Sequence, residues 1–94
     1  MQMTVVVKSS PDTPEGKRGV QTAIDMGADI VFLQNGVYSV LLESASIPDI
    51  RIYAVGEDCL MRGIVAHPES RVRMIDYAEL VDILQQSDHV IGMM

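Results

Sequence analysis

The residues best suited to chemistry in this chain fall together in Gly56-Glu57-Asp58-Cys59-Leu60-Met61-Arg62-Gly63, which holds its only cysteine. The strand-like run Ile50-Arg51-Ile52-Tyr53-Ala54-Val55 comes directly before it. In a parallel sheet this is the carboxyl end of a strand, the edge where open α/β sheets place reactive groups. A thiol in the first turn of a helix is drawn toward thiolate by the positive end of the helix dipole. Glu57 and Asp58 oppose that by like-charge repulsion. A free cysteine one turn deeper behaves as a small hydrophobe. The sequence leaves Cys59 open between a catalytic nucleophile and a packing residue.

Each neighbour has two roles open to it. Glu57 and Asp58 would serve as an acid–base pair, or as acidic caps complementing a helix N-terminus. Arg62 before Gly63 would bind an anion, or stabilise a helix C-terminus by its charge alone. Asp76, followed three residues later by Glu79, has the spacing of a helix cap and opens onto Tyr77. Tyr38 and Tyr53 are polar-tipped aromatics suited to the rim of an interface. His67 and His89 stand alone without ligand spacing, so no metal site is expected. His89 reads as a surface residue and Asp88 as a turn residue. No glycine-rich dinucleotide loop, phosphate loop or serine elbow occurs, so no cofactor is expected.

Five short, apolar, β-branched runs would form strands: Met3–Val7, Ile30–Leu33, Ile50–Val55, Val72–Ile75 and Val90–Met93. Several lack period-2 alternation, as strands covered on both faces do. Helix-length segments lie between them. The first opens at Asp12-Thr13-Pro14-Glu15, turns Val20, Ala23 and Ile24 inward and closes at Gly27. The second starts near Gly36, buries Val37, Val40 and Leu41, and stops before Pro48. A third covers Glu57–Arg62 and ends at Gly63. The fourth follows Asp76, with Tyr77, Leu80, Val81 and Leu84 on one stripe. Ala66-His67-Pro68-Glu69-Ser70 reads as a free loop. Strand and helix alternating with short connections predict right-handed crossovers and a parallel sheet. The expected fold is a flavodoxin-like α/β three-layer sandwich with a five-stranded, mostly parallel sheet, one domain over residues 1–94.

With 4% aromatic residues and no Trp, the core must be built from aliphatic side chains and the seven methionines. A chain of 94 residues has a thin stability margin, which self-association would widen. Its single cysteine excludes an intrachain disulfide, and no signal or transmembrane run is visible. These features suggest a soluble, cytoplasmic protein with no membrane partner. The net charge is −6 and the few basic residues are scattered, so no direct contact with nucleic acid is expected.

Four blocks in order resemble the DsrH/TusB family of sulfur-relay proteins. They are Lys8-Ser9-Ser10-Pro11, Leu33-Gln34-Asn35-Gly36-Val37-Tyr38, Tyr53-Ala54-Val55-Gly56-Glu57-Asp58 with Arg62-Gly63, and Ile75-Asp76-Tyr77 leading into Leu80-Val81. The resemblance implies a DsrE-like fold and a hetero-oligomer with DsrE/TusD-like and DsrF/TusC-like subunits. In such a complex sulfur travels as a cysteine persulfide, toward 2-thiouridine at the tRNA wobble position or into dissimilatory sulfur metabolism. It also implies interface or motif roles for Gly36, Tyr38, Glu57, Asp58, Arg62, Gly63, Asp76 and Tyr77. The persulfide-bearing subunits carry their cysteine at the position matching Val55, which has no thiol. Cys59 stands where many TusB-like sequences have an apolar residue. Some DsrH proteins have a cysteine after the first strand, where this chain has Ser9 and Ser10. The resemblance therefore implies a non-catalytic subunit of a sulfurtransferase complex. The alternatives are a persulfide carrier using Cys59 and a stand-alone homo-oligomeric binding module.

Overall fold

Each apolar run meets its neighbour side by side, and the connections decide the rest. The computed structural model describes residues 2–41, 50–65 and 70–93. The strands are β1 (Met3–Val7), β2 (Asp29–Phe32), β3 (Ile52–Val55), β4 (Val72–Ile75) and β5 (His89–Met93). All four pairings are parallel, and the order across the sheet is β4-β3-β2-β1-β5. Helices α1 (Pro14–Met26), α2 (Gly56–Met61) and α3 (Tyr77–Gln86) alternate with the strands, and a 3-10 helix spans Gln34–Leu41. The five-stranded α/β sandwich expected from the sequence is what forms.

Strand order and handedness together explain the layers. The first three connections step across the sheet in one direction, and the fourth reverses to reach β5. Right-handed crossovers place the first three on one face and the fourth on the other. Val5, Val7, Ile30, Phe32, Ile52 and Ala54 accordingly pack with Ala23, Val37, Val40 and Cys59. On the opposite face Val31, Tyr53, Val55 and Ile75 pack with Leu80, Ile83 and Leu84 of α3. The buried hydroxyl of Thr4, beneath the end of α3, is satisfied by Ser87 Oγ at 2.5 Å.

Local signals hold with some corrections. Thr13 caps α1, accepting from Gly16 N–H at 3.1 Å. Gly27 ends that helix in the left-handed region, at φ 64°. Asp76 and Glu79 form the capping box of α3, with Glu79 N–H donating to Asp76 Oδ1 at 2.7 Å. The stripe of α3 against the sheet is buried Leu80 with partly buried Ile83 and Leu84, whereas Tyr77 and Val81, expected on it, stay exposed. Tyr53, expected at a rim, is buried because β3 is covered on both faces. The segment after β2 is a 3-10 helix rather than an α-helix, and Leu41 at its end is exposed rather than buried. Its first turn is pinned against the end of β1 by Leu33 N–H to Val7 O and Gly36 N–H to Lys8 O, each at 3.1 Å, and the chain starts in the tighter winding. The Pro48 stop, His67 and most of the 66–70 loop lie outside the described residues. No described helix is long and apolar enough to cross a membrane.

Gly36 is required by space. A Cβ there would sit 2.1 Å from the Val7 carbonyl oxygen, and a backbone atom in a central strand cannot give way. Gly36→Ala is expected to cost about 3 kcal/mol by forcing β1 from the 3-10 helix. Gly63 has open space and only a left-handed φ of 67° to satisfy. Gly63→Ala should cost about 1 kcal/mol. Urea midpoints at unchanged slope measure both, and equal losses at the two positions would refute the steric account.

Candidate functional site

Strands β2, β3 and β4 end at one carboxyl edge, and the three turns that leave them meet there. After β2 the chain passes through Gln34, the one described non-glycine residue with positive φ, at 50°. After β3 it enters α2, and after β4 Asp76 caps α3 so that Tyr77 is its first residue. Asp58 of α2 joins these turns. Its Oδ2 accepts from Gln34 N–H at 2.7 Å and from Tyr77 Oη–H at 2.7 Å. The residue is only 7% exposed, so these bonds replace water that the carboxylate has lost. The capping role open to Asp58 is not the one it takes. Val55 is the N-cap of α2, with no side-chain bond to the helix, and Glu57 points to solvent.

Arg62 extends the cluster. Its Nε donates to Asn35 Oδ1 and its Nη1 to the Asp58 carbonyl oxygen, both at 3.2 Å. The guanidinium thereby ties the end of α2 to the turn after β2. Gly63 follows at φ 67°, and Ile64 N–H closes the helix onto Cys59 O at 2.9 Å. Gly36 stands behind this edge as a packing position. Tyr38 lies further along the 3-10 helix, 38% exposed, and bonds to no member of the cluster.

Cys59 turns inward. It is 2% exposed among Val5, Ile30, Ala54 and Val37 of the main core. Burial raises its thiol pKa above the ordinary value, and the neighbouring Asp58 charge raises it further, against a smaller opposing effect of Arg62. The dipole argument for a thiolate is outweighed there by loss of solvent. Tyr77 is also shifted upward, first because its hydroxyl is committed as a donor to Asp58. The arrangement holds backbone and side chains in place, with the Cys59 thiol turned into the core. Among the described residues no three His, Cys, Asp or Glu side chains converge as metal ligands.

A cavity of about 370 Å³ lies at the opposite, amino end of the strands, lined by Gln2, Met3, Gly27, Asp29 and Arg51. Parallel sheets seldom use that end for ligands, and Asp29 Oδ1 there is engaged by Arg51 N–H at 3.1 Å. Gln34 and Asn35 are the site residues that sequence alone did not single out. The available signal was Asn35-Gly36, a turn dipeptide directly after a strand.

The phenol–carboxylate bond has a measurable pH signature. A raised folded-state pKa means that the bond's stability is fully present below the unfolded phenol value near 10 and is lost as pH rises through the folded value. Tyr77→Phe should cost about 1 kcal/mol at neutral pH. The variant should also lose stability less steeply than the parent above pH 10. Parallel stability–pH curves for the two proteins would contradict the assigned bond.

Comparison with known proteins agrees with this fold. Residues 10–90 match the family of DsrH-like proteins. The crystal structure of YchN from E. coli superimposes with a TM-score of 0.82 at 16% identity, over 98% of this chain and 99% of that one, a likeness of fold. The solution structure of Tm0979 from Thermotoga maritima is 34% identical over 89% of this chain and 92% of that one, with a TM-score of 0.63. No curated protein matches the sequence. The order of motifs, the sheet and the match over residues 10–90 lead to one conclusion: the chain belongs to the DsrH-like family.

Proposed function

We propose that this chain is a non-catalytic subunit of a cytoplasmic sulfur-relay complex, assembled with DsrE/TusD-like and DsrF/TusC-like subunits. The observation that carries the reading is the burial of its only thiol. A relay cysteine must reach a donor and an acceptor, and it attacks as the thiolate. Cys59 is 2% exposed in the core and its pKa is raised. Val55, matching the persulfide position of related subunits, is a fully buried valine. A partner subunit therefore carries the sulfur, bound for tRNA 2-thiouridine or for dissimilatory sulfur metabolism. Leu60, Met61 and Val65, each at least 80% exposed around the end of α2, suit contact with such a partner.

Two measurements test this. Native mass spectrometry of the protein purified gently from its host should show a mixed assembly with two other small subunits. Within that assembly Cys59→Ser should leave sulfur transfer within about twofold of the parent rate, since the thiol lies outside the relay. In the isolated protein, alkylation of Cys59 should be limited by opening of the fold rather than by thiolate chemistry. Loss of transfer in Cys59→Ser, with an extra sulfur atom on Cys59, would make this chain the carrier instead. A homo-oligomer alone would favour the stand-alone binding module.

A further inference from the structure

The two edges of the sheet differ in how they are protected. An edge strand offers unpaired N–H and C=O groups to any other strand, and proteins blunt it with charge, proline or internal bonds. The β4 edge has such devices. Arg71 and Arg73 flank Val72, Arg73 pairs with Glu79 at 3.5 Å, and Ser70 Oγ already takes the Val72 N–H at 3.1 Å. The β5 edge, His89-Val90-Ile91-Gly92-Met93, has no Lys, Arg, Asp, Glu or Pro. His89, Val90 and Gly92 are all exposed.

The register identifies the free groups. His89 N–H donates to Gln2 O at 3.4 Å, and β5 pairs with β1 in parallel from Met3↔His89 to Val7↔Met93. In a parallel ladder alternate residues direct both backbone groups to the same neighbour. His89, Ile91 and Met93 therefore bond to β1, and Val90 and Gly92 direct theirs outward.

We propose that β5 pairs antiparallel with β5 of a second copy, about a two-fold axis through Ile91. Val90 then faces Gly92 of the partner copy, and each pair exchanges two hydrogen bonds. All four outward groups of each chain are satisfied, with no shift of register. Gly92 has no side chain, and a Cβ added to it would meet no atom within 4 Å, which leaves room for the opposing Val90. The two Ile91 residues meet at the axis as an apolar cross-strand pair. Pairing of β5 with β4 of another copy is opposed by Arg71, Arg73 and the occupied Val72 N–H, so the contact closes at two chains and does not propagate. The inference stands apart from the sulfur-relay reading, because it concerns the isolated chain.

Sedimentation of the purified full chain over a concentration series, with residue-resolved amide exchange, tests it. A monomer–dimer equilibrium is expected, with Val90 and Gly92 amides protected at high concentration and exposed on dilution. Gly92→Pro removes one outward donor per chain and should weaken the dimer about tenfold to a hundredfold. Val90→Lys, which keeps every backbone donor, should weaken it through charge beside the axis. A monomer at all concentrations overturns the proposal. So does a dimer whose Val90 and Gly92 amides exchange freely, or pairing of this edge only with a chain of different sequence. None of these results bears on sulfur transfer in the mixed complex.

Discussion

The Asp58 carboxylate holds the carboxyl edge together. A charge that is 7% exposed is costly unless hydrogen bonds replace its hydration. Both its partners come from other turns, Gln34 N–H after β2 and Tyr77 Oη–H after β4. The bond from Gln34 supports a left-handed backbone at φ 50°, which a glutamine does not adopt freely. The bond from Tyr77 fixes the start of α3, the only described helix on its face of the sheet. One side chain thus registers the two helical layers against each other, with Arg62 bracing the same turn from Asn35. Breaking either bond leaves a buried acceptor short of a partner, so the cluster acts as a unit.

Much of the fold was legible because strands covered on both faces must be apolar along their whole length. Val5, Val31 and Val55 announce themselves by type alone. Thr13-Pro14, Gly27 and the Asp76–Glu79 pair mark helix ends by chemistry that acts within a few residues. Sheet order was not legible, because it depends on which strand β5 joins and no local signal in His89–Met93 specifies β1. The role of Asp58 was hidden for a related reason. An aspartate in the first turn of a helix reads as a cap, and only the tertiary meeting of three turns shows that it faces Tyr77, 19 residues away. The winding after β2 was hidden too, since Gly36 serves close approach to Val7, and its pattern of Val37 and Val40 fits either helix.

The position of Cys59 shows how burial opposes the helix dipole at a thiol. The helix dipole acts over the first turn, yet α2 is six residues long and lies on the sheet with Cys59 among Val5, Ile30 and Ala54. Its dipole is small, whereas desolvation is nearly complete and Asp58 adds a like charge. Burial is the larger effect, and it raises the pKa. The same helix directs Leu60 and Met61 to solvent, so its outward side offers apolar surface and no nucleophile.

The carboxyl edge is braced by its own side chains around one buried carboxylate, Asp58. Open α/β sheets ordinarily leave that edge free for substrate. Here Asp58 is engaged by Gln34 N–H and Tyr77 Oη–H and Arg62 by Asn35 Oδ1 and the Asp58 carbonyl, and the backbone of the turn after β2 is packed against β1 through Gly36. Among the described residues, the exposed Leu60-Met61 end of α2 and the outer edge of β5 offer uncharged surface. A small domain with a thin core gains more from covering such surface than from keeping it wet. A net charge of −6 opposes association of like chains, so contact should concentrate where charge is sparse. Both regions meet that condition, for Leu60-Met61 and Val90–Met93 carry no charge of their own. The exposed apolar surface of α2 and the outer edge of β5 thus lie away from the clasp that keeps the layers in register.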